Sequence, residues 1–392
     1  MKVLIPVTVQ NQIEVSITND FNFEFISELQ KIKLNKLLVT LWFFIYVCQK
    51  RDDKIFNFKG FTSIHIKDLK KFKITINKTT YNYNFLLQML INSKLIDRNN
   101  KYCVDKFPKS YRINTSILNG NYEEIEIDYD KLIYKLKSRK HWVRKYPNHK
   151  NHIKNSYDIR IDLPNYALWL RRNMGIYLKP IIKNGIVINR KLTDERIFDY
   201  LNTALQINLG SLWFKVSHEG RFYNTITNMS YTALPFVTLK GKELKEIDVK
   251  NCQPLLLATI IDNEKYQQDV ENGQFYENIA KELNTDRNNF KILSYKYIFF
   301  ANQKLKSGKI YEALNKLYPG FIEKLNKLRN QINISRKLQE LEATIMVDRV
   351  GSQPYKMMLR HDAVFVYDED FDKMCEVVKE EFKKIGLQVQ IK

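Results

Sequence analysis

The stretch Lys245–Ala258, KEIDVKNCQPLLLA, constrains the fold of this chain more than any other segment. Ile247 and Val249 are β-branched and lie on either side of Asp248, a pattern typical of a short strand that ends in a carboxylate. Pro254 suits the first turn of a helix, because that position needs no backbone donor. A carboxylate beside a turn with a free carbonyl is a common Mg²⁺ ligand set, although a turn or capping role explains an isolated Asp equally well.

Composition and charge restrict the class of protein. The chain has 392 residues, 44% hydrophobic and 13% aromatic, which is enough for two or three globular domains. Its formal net charge of +21 favours a polyanionic partner, most often nucleic acid and less often an anionic membrane. A basic surface that only maintains solubility is the alternative.

Cysteine usage and hydropathy predict a cytoplasmic protein. The four cysteines are scattered without a C-x-x-C pair, so neither a zinc site nor a disulfide framework is indicated. The longest apolar run, Leu37–Cys48, is far shorter than the roughly 20 residues of a membrane span, which predicts no membrane association.

The first 115 residues have the order of elements found in a winged helix. Residues 1–20 are predicted to form an extended arm or a small strand pair, and the apolar periodicity of 23–51 predicts a long helix. A short strand, a short helix, a helix capped by Thr79 or Thr80, and a hairpin that includes Lys101–Val104 follow. This order resembles the winged-helix domains of plasmid and phage replication proteins. A small helical domain that only packs against the rest is the alternative.

The next segment, 116–215, is basic and is predicted to be mostly helical from residue 157 onward. Lysines and arginines interleaved with apolar and aromatic residues suit a nucleic-acid backbone, or else a solvated helical face. His149 and His152 have no metal-like spacing, so we expect them at the surface.

A second constellation follows the Asp248 segment. Asn284-Thr285-Asp286 is a strong N-cap signal, and the helix that it opens carries four residues at four-residue spacing. They are Arg287, Lys291, Tyr295 and Phe299. Two cations followed by two aromatic rings could contact a triphosphate at one end and a base at the other, unless this is an ordinary amphipathic helix.

A third element is the run Lys356–Tyr367, in which two apolar β-rich stretches flank His361-Asp362. This pattern predicts a hairpin with a carboxylate at its tip, followed by a helix over 371–385 and a strand over 387–391. Asp248 and Asp362 could then lie at the ends of neighbouring strands, where two carboxylates can share two Mg²⁺ ions for phosphoryl transfer.

The order of these three motifs resembles the family A DNA polymerases, the bacterial polymerase I group. Gly220-Arg221 corresponds to the family's G-R motif, and the segment that begins at Gln339 is similar to its Q-G-T-A-A-D-I-I helix. The resemblance covers roughly 215–392, with low overall identity. It implies a right-hand palm, fingers and thumb architecture.

The resemblance also implies a role for each matching position. Asp248, Asp362 and the carbonyl of Val249 would hold two Mg²⁺ ions, with Mn²⁺ as a substitute. Arg287 and Lys291 would bind the triphosphate, with Lys291 assisting the leaving pyrophosphate. Tyr295 would lie against the base and sugar, and Phe299 beside the template base. The remaining three residues would contact the primer–template DNA or the primer terminus: Arg221, Gln339 and His361.

Some positions depart from the family pattern. Gln253 replaces the Glu that excludes a ribose 2′-hydroxyl, so the choice between dNTPs and NTPs stays open. Phe300 replaces the usual Gly after the second aromatic residue, and Ala363 replaces the acidic residue after His-Asp. The interval between Lys291 and Gln339 is short, which predicts small fingers. The chain before the palm leaves no room for a proofreading exonuclease.

These inferences predict an α+β protein with three parts: a winged-helix-like DNA-binding domain over 1–115, a basic thumb-like region over 116–215, and a palm with reduced fingers over 216–392. The expected activity is primer extension by a DNA-dependent DNA polymerase, with DNA and nucleoside triphosphates as partners. A primase or small RNA polymerase is one alternative. A non-catalytic DNA-binding replication initiator is another.

Overall fold

The chain folds as a mixture of helices and small sheets. Helices account for 55% and strands for 18% of the structure, and the described strands form sheets of only two or three strands. This confirms the predicted α+β class at a coarse level. The computed structural model describes residues 1–20, 26–52, 60–99, 109–128, 137–183, 186–301 and 303–391.

The elements alternate along the whole chain. The first part contains β1 (Lys2–Pro6), α1 (Val7–Asp20), α2 (Glu28–Asp52), β2 (Thr62–Ser63), α3 (Ile66–Leu69), β3 (Ile74–Ile76), β4 (Thr79–Tyr81), α4 (Tyr83–Asn92), β5 (Ile96–Asn99), β6 (Ser110–Ile113) and β7 (Tyr122–Glu126). The middle contains α5 (Arg139–Lys145), α6 (Lys150–Ser156), β8 (Ile159–Ile161), α7 (Leu163–Arg172), β9 (Tyr177–Lys183), β10 (Ile186–Lys191), α8 (Asp194–Asn208), β11 (Phe214–Val216), β12 (Phe222–Asn224), β13 (Val237–Leu239) and β14 (Lys242–Glu243). The last part contains β15 (Lys245–Asp248), α9 (Cys252–Ala258), α10 (Glu264–Glu271), α11 (Phe275–Glu282), α12 (Arg287–Ser294), α13 (Lys309–Leu317), α14 (Phe321–Gln331), α15 (Ile334–Glu342), β16 (Met357–Arg360), β17 (Ala363–Val366) and α16 (Phe371–Lys383).

Two compact units make up the chain, and each is formed by several segments. Unit 1 comprises 1–136, 163–177 and 191–206, and unit 2 comprises 137–162, 178–190 and 207–392. The segment predicted as a helical thumb-like region, 116–215, contributes to both units. From residue 157 onward, where it was predicted to be mostly helical, it contains β8, β9, β10 and the start of β11 beside two helices, so that prediction was wrong.

The first twenty residues differ from their prediction. They form β1, which pairs antiparallel with β7, and then the helix α1. Val9, Ile13 and Ile17 recur every four residues and are buried on one face of that helix. The segment is rich in β-branched residues, which favour strands, and burial of this face outweighs that local preference.

Helix α2 is the central element of unit 1. Leu34, Leu38 and Leu41 are buried, and Trp42 packs edge-on against Phe198 with ring centroids 6.0 Å apart. Within the described part of the chain it is the one helix long and apolar enough to cross a membrane. That is weak evidence for a span, because 72% of its apolar window is buried, as in a core helix.

The predicted order of helix, strand, helix and helix is present in unit 1 with one addition. The hairpin β3–β4 lies between α3 and α4, and β2, β6 and β5 form a three-stranded sheet in that order. The predicted caps, Thr79 and Thr80, lie in β4 instead. Asn82 caps α4 by accepting a hydrogen bond from the backbone N–H of Asn84. The predicted strand Lys101–Val104 lies outside the described residues.

Unit 2 is built around the antiparallel sheet β15–β17–β16. Ile247 pairs with Val364 and Leu359 also pairs with Val364, so β17 is the central strand. The helix after this sheet is α16, close to its predicted extent. The predicted C-terminal strand is reduced to a single antiparallel bridge between Val249 and Ile391.

Two histidines predicted at the surface are buried in unit 2. His149 and His152 are 8% and 5% exposed, and both pack against Phe222, with ring centroids 4.8 and 6.0 Å away. Nε2 of His152 hydrogen-bonds the carbonyl oxygen of Val347 at 3.2 Å. Burial lowers the pKa of His152 to about 4, so the ring is neutral at physiological pH. The spacing of these histidines in the sequence argues against a metal-binding motif, but it does not indicate whether their side chains are buried.

Candidate active site

The sheet of unit 2 brings the two predicted carboxylates to the same end. Asp248 is the last residue of β15 and pairs with Ala363, the residue directly after Asp362. His361 and Asp362 form the two-residue turn between β16 and β17, as predicted for the hairpin. His361 has a φ of 59°, which suits the first position of a tight hairpin turn.

The electrostatics of Asp362 fit a cation site. The side chain is partly buried, and its pKa is raised first by burial and then by the charge of Asp248. The positive charges of Lys291 and Arg221 oppose this shift, so both cations are within electrostatic reach of the same carboxylate. Two neighbouring carboxylates in a desolvated position suit a divalent ion with oxygen ligands.

A metal ion beside Asp248 and Asp362 would need ligands other than acidic side chains. Within the described ranges, no group of three or more His, Cys, Asp and Glu side chains gathers in a metal-binding arrangement. Val249, predicted to offer its carbonyl oxygen, is 2% exposed and is held in place by its bridge to Ile391. The two carboxylates could therefore supply only part of the ligands of a metal ion.

Helix α12 presents its predicted cationic face to one aromatic side chain. Asp286 caps the helix by accepting from the backbone N–H of Asn289, which confirms the predicted N-terminus. The guanidinium of Arg287 and Nζ of Lys291 lie 5.4 and 5.8 Å from the ring centroid of Tyr276, which is 1% exposed. The two side chains therefore share one side of the helix.

Arg287 and Tyr295 are held by neighbours from α11. Nε of Arg287 donates to Oε1 of Glu277 at 2.7 Å. Tyr295 interacts with the hydroxyl of Tyr276, and its pKa is raised by burial and then by the charge of Asp362. Tyr295 is thus within electrostatic reach of the carboxylate pair.

A π-helical turn changes the position of the last aromatic residue. It spans Tyr295–Phe299 and inserts an extra residue into the helical turn, so the four-residue spacing stops at Tyr295. Phe299 is completely buried in the core, and a contact with a template base does not fit this position. Phe300 is 41% exposed and stacks on Tyr295 with ring centroids 5.3 Å apart. A regular helical spacing could not predict that Phe299 is buried and Phe300 is exposed.

A buried carboxylate that the sequence did not indicate joins the site. Glu342, the last residue of α15, is 3% exposed. Its Oε2 accepts hydrogen bonds from Nη2 of Arg221 at 2.7 Å and from Nε2 of Gln253. Burial, opposed by the charge of Arg221 and aided by that of Asp362, raises the pKa of Glu342 to about 7. No local motif marks this residue, because its partners are 121 and 89 positions away.

The three residues predicted to contact primer–template DNA have different surroundings. Arg221 is mostly buried and paired with Glu342. His361 packs edge-on against Tyr223, with ring centroids 5.9 Å apart. Burial, with Arg221 and Arg360, lowers its pKa to about 4. Gln339 lies on α15, where its amide donates to Ser335 at 3.4 Å.

Several buried polar atoms of the site lack a hydrogen-bond partner among the residues that the structure describes. They include Nε of Arg221, a donor, and Oε1 of Gln253, an acceptor. Both polar atoms of the Asn251 side chain, between Asp248 and α9, are also unpaired. Buried polar groups are usually satisfied, so these atoms are available to a ligand or to water.

Comparison with known proteins provides no family assignment. No protein-family model matches this chain, and no curated protein matches its sequence. The chemistry of the site therefore rests on its own residues.

The pH dependence of stability should report on Glu342. Its carboxyl keeps a proton in the folded state up to about pH 7 but loses it near pH 4.5 when unfolded. The folded state thus binds more protons in this interval, and the free energy of unfolding should fall as pH rises from about 4.5 to 7, by ~3 kcal/mol. Glu342→Gln removes this titration. Urea unfolding of both proteins at pH 5 and pH 8 should show a larger loss of stability at pH 8 in wild type than in Glu342→Gln, and equal pH dependence would contradict the assignment.

Proposed function

We propose that this chain is a template-directed nucleotidyltransferase that extends a DNA primer. The observation that carries the proposal is the pair Asp248 and Asp362 at one end of a paired sheet. Lys291 and Arg221 bring positive charge to this pair. Phosphoryl transfer makes few covalent demands on an enzyme and depends on positioning and electrostatics, which this arrangement can supply. The proposal includes a right-hand architecture, with unit 2 as palm and reduced fingers.

The carboxylates have a defined task in this proposal. Asp248 and Asp362, with the carbonyl of Val249, hold two Mg²⁺ ions, for which Mn²⁺ can substitute. When bound, such ions stabilise the charge on the attacking and leaving oxygens of an in-line displacement. The raised pKa of Asp362 supports this fit, because a cation would relieve the repulsion from Asp248.

The cations of α12 would position the triphosphate. Lys291 faces Asp362 and can neutralise charge on the pyrophosphate that leaves. Arg287 lies one turn earlier on the same face and is paired with Glu277, so a phosphate would compete with Glu277 for its guanidinium. Both cations lie over the buried ring of Tyr276, which limits their movement and favours pre-organised binding.

The base and the sugar of the nucleotide would contact the C-terminal end of α12 and the π-helical turn that follows it. Tyr295 and the exposed Phe300 form a stacked pair that can extend to a nucleobase, so Phe300 takes the role first predicted for Phe299. Gln253 offers an unpaired buried acceptor, Oε1, to which a ribose 2′-hydroxyl could donate. This acceptor favours one alternative, a primase or small RNA polymerase that uses NTPs.

Contacts with DNA would come from both units. The net charge of +21 supports a nucleic-acid partner. The order of elements in unit 1 supports a winged-helix-like DNA-binding role. Arg221, Gln339 and His361 would approach the primer–template in unit 2.

Primer extension tests the proposal directly. A labelled primer on a DNA template, and an unprimed template beside it, are incubated with the protein, Mg²⁺ and either dNTPs or NTPs. Extension of the primer with dNTPs supports the polymerase. Synthesis from NTPs or without a primer supports the alternative. DNA binding without synthesis at any Mg²⁺ or Mn²⁺ concentration would overturn both and favour a non-catalytic initiator.

A matched pair of lysine variants tests the triphosphate site. Lys291→Ala should lower kcat/KM for the nucleotide by about 10²–10³, because it removes one pre-organised positive charge from the developing pyrophosphate. Lys296→Ala, an exposed lysine in the adjoining π-helical turn, should change it by less than about 2-fold. Steady-state kinetics on the primed template measure both, and equal effects would argue against a specific role for Lys291.

A further inference from the structure

The cluster Arg221–Glu342–Gln253 joins three separate elements of unit 2. Arg221 precedes β12, Gln253 lies in the first turn of α9, and Glu342 ends α15. One carboxylate oxygen, Oε2 of Glu342, receives a hydrogen bond from each of the other two side chains. A single buried atom therefore determines where both side chains lie.

The loop that carries Arg221 is attached to α15 at a second point. Oε1 of Glu219 lies 3.4 Å from Nε of Arg336. Gly220, with a φ of 81°, is close enough to Ala343 that an added Cβ would lie 3.4 Å from the Cβ of Ala343. The backbone of the loop is thus fixed, and the direction of the Arg221 side chain depends on Glu342.

Arg221 has a second carboxylate within electrostatic reach. Its charge opposes the rise in the pKa of Asp362 and adds to the lowering of the pKa of the neighbouring His361, which is due first to burial. Nε of Arg221 has no hydrogen-bond partner in the described part of the chain, so there the guanidinium keeps a donor while it is bound to Glu342. A buried guanidinium without a carboxylate is strongly disfavoured, and without Glu342 it would turn towards Asp362.

We propose that Glu342 is a positioning residue that holds Arg221 away from Asp362 and so keeps Asp362 available to a divalent cation. The inference rests on the cation site of the proposed function. In this arrangement Glu342 offsets the charge of Arg221 without itself binding the ion. Asp362 then presents its negative charge to the cation instead of forming an ion pair with Arg221.

The test measures cation binding without nucleotide or DNA. Mn²⁺ is titrated into the full chain at pH 8, above the pKa of about 7 at which Glu342 ionises, and free Mn²⁺ is followed by electron paramagnetic resonance. Glu342→Gln keeps a hydrogen-bond acceptor for Arg221 but removes the charge, and it should weaken Mn²⁺ binding about 10-fold, the usual size of an outer-shell effect. Glu381→Gln is the matched control, because Glu381 is also buried and ion-paired, with Lys384 directly after α16. It should bind Mn²⁺ like wild type.

A double variant separates competition from misfolding. Arg221→Gln combined with Glu342→Gln removes the competing cation together with its anchor, so Mn²⁺ affinity should return to within about 2-fold of wild type. The inference is overturned if Glu342→Gln binds Mn²⁺ as wild type does, or if the double variant stays as weak as Glu342→Gln. It does not depend on synthesis. A protein that fails to extend primers but shows this Mn²⁺ pattern would refute the polymerase and keep the positioning role.

Discussion

Replacement of Asp362 with Asn should abolish nucleotide addition while the protein stays folded. The variant keeps the shape of the side chain and removes the charge that, with Asp248, would hold the cations. Electrostatic stabilisation by bound metal contributes several kcal/mol to such reactions, so its loss should slow primer extension by at least ~10³-fold. Single-turnover extension of a labelled primer measures the effect.

The stability of the same variant provides an independent readout. The folded-state pKa of Asp362 is raised, mainly by burial and by Asp248, so its ionised form disfavours folding at neutral pH. Without metal, Asp362→Asn should therefore be as stable as wild type or more stable in urea unfolding at pH 8. Asp262→Asn, at a side chain that is 97% exposed, is the control and should leave extension unchanged. A folded Asp362→Asn protein with activity within about 10-fold of wild type would refute the two-carboxylate site.

Replacement of Gly351 with Ala should destabilise unit 2. A Cβ at this position would lie 2.1 Å from Nε2 and 2.3 Å from Cε1 of His152, and 2.8 Å from Cδ1 of Leu359. The buried ring cannot move without loss of its hydrogen bond to Val347, so the cost should be about 3 kcal/mol. Hydrogen exchange should show loss of protection in α6 and β16, the elements that carry these two neighbours.

Two further variants define the cause of this destabilisation. Gly60→Ala is a matched control, because an added Cβ at Gly60 meets no atom of the described residues within 4 Å, and it should change the unfolding free energy by less than about 0.5 kcal/mol. His152→Ala makes room at the clash. Gly351→Ala should then lower the unfolding free energy much less in the His152→Ala protein than in wild type. If Gly351→Ala lowers the unfolding free energy of the His152→Ala protein as much as that of wild type, the clash with His152 is not the cause of the destabilisation.

The elements that were predicted correctly are those in which residue types and spacing within one segment indicate a single secondary structure. The strand ending at Asp248, the helix after Pro254, the cap at Asp286 and the hairpin at His361-Asp362 were all predicted from residue type and spacing. Each depends on interactions within about a dozen residues, such as apolar alternation, a capping side chain or a two-residue turn. The partial failures at residues 1–20 and at Thr79 occurred where β-branched residues made the local signal ambiguous.

The tertiary structure alone decided the chemistry that surrounds these elements. Glu342 meets Arg221 and Gln253 only because chain segments more than 80 positions apart fold together. The π-helical turn that exposes Phe300 and buries Phe299 reflects packing in the core, which a regular helical period does not contain. Burial of His152 against Gly351 is likewise a matter of close packing. Long-range contacts set burial and charge environment, and no spacing rule within one segment can determine these.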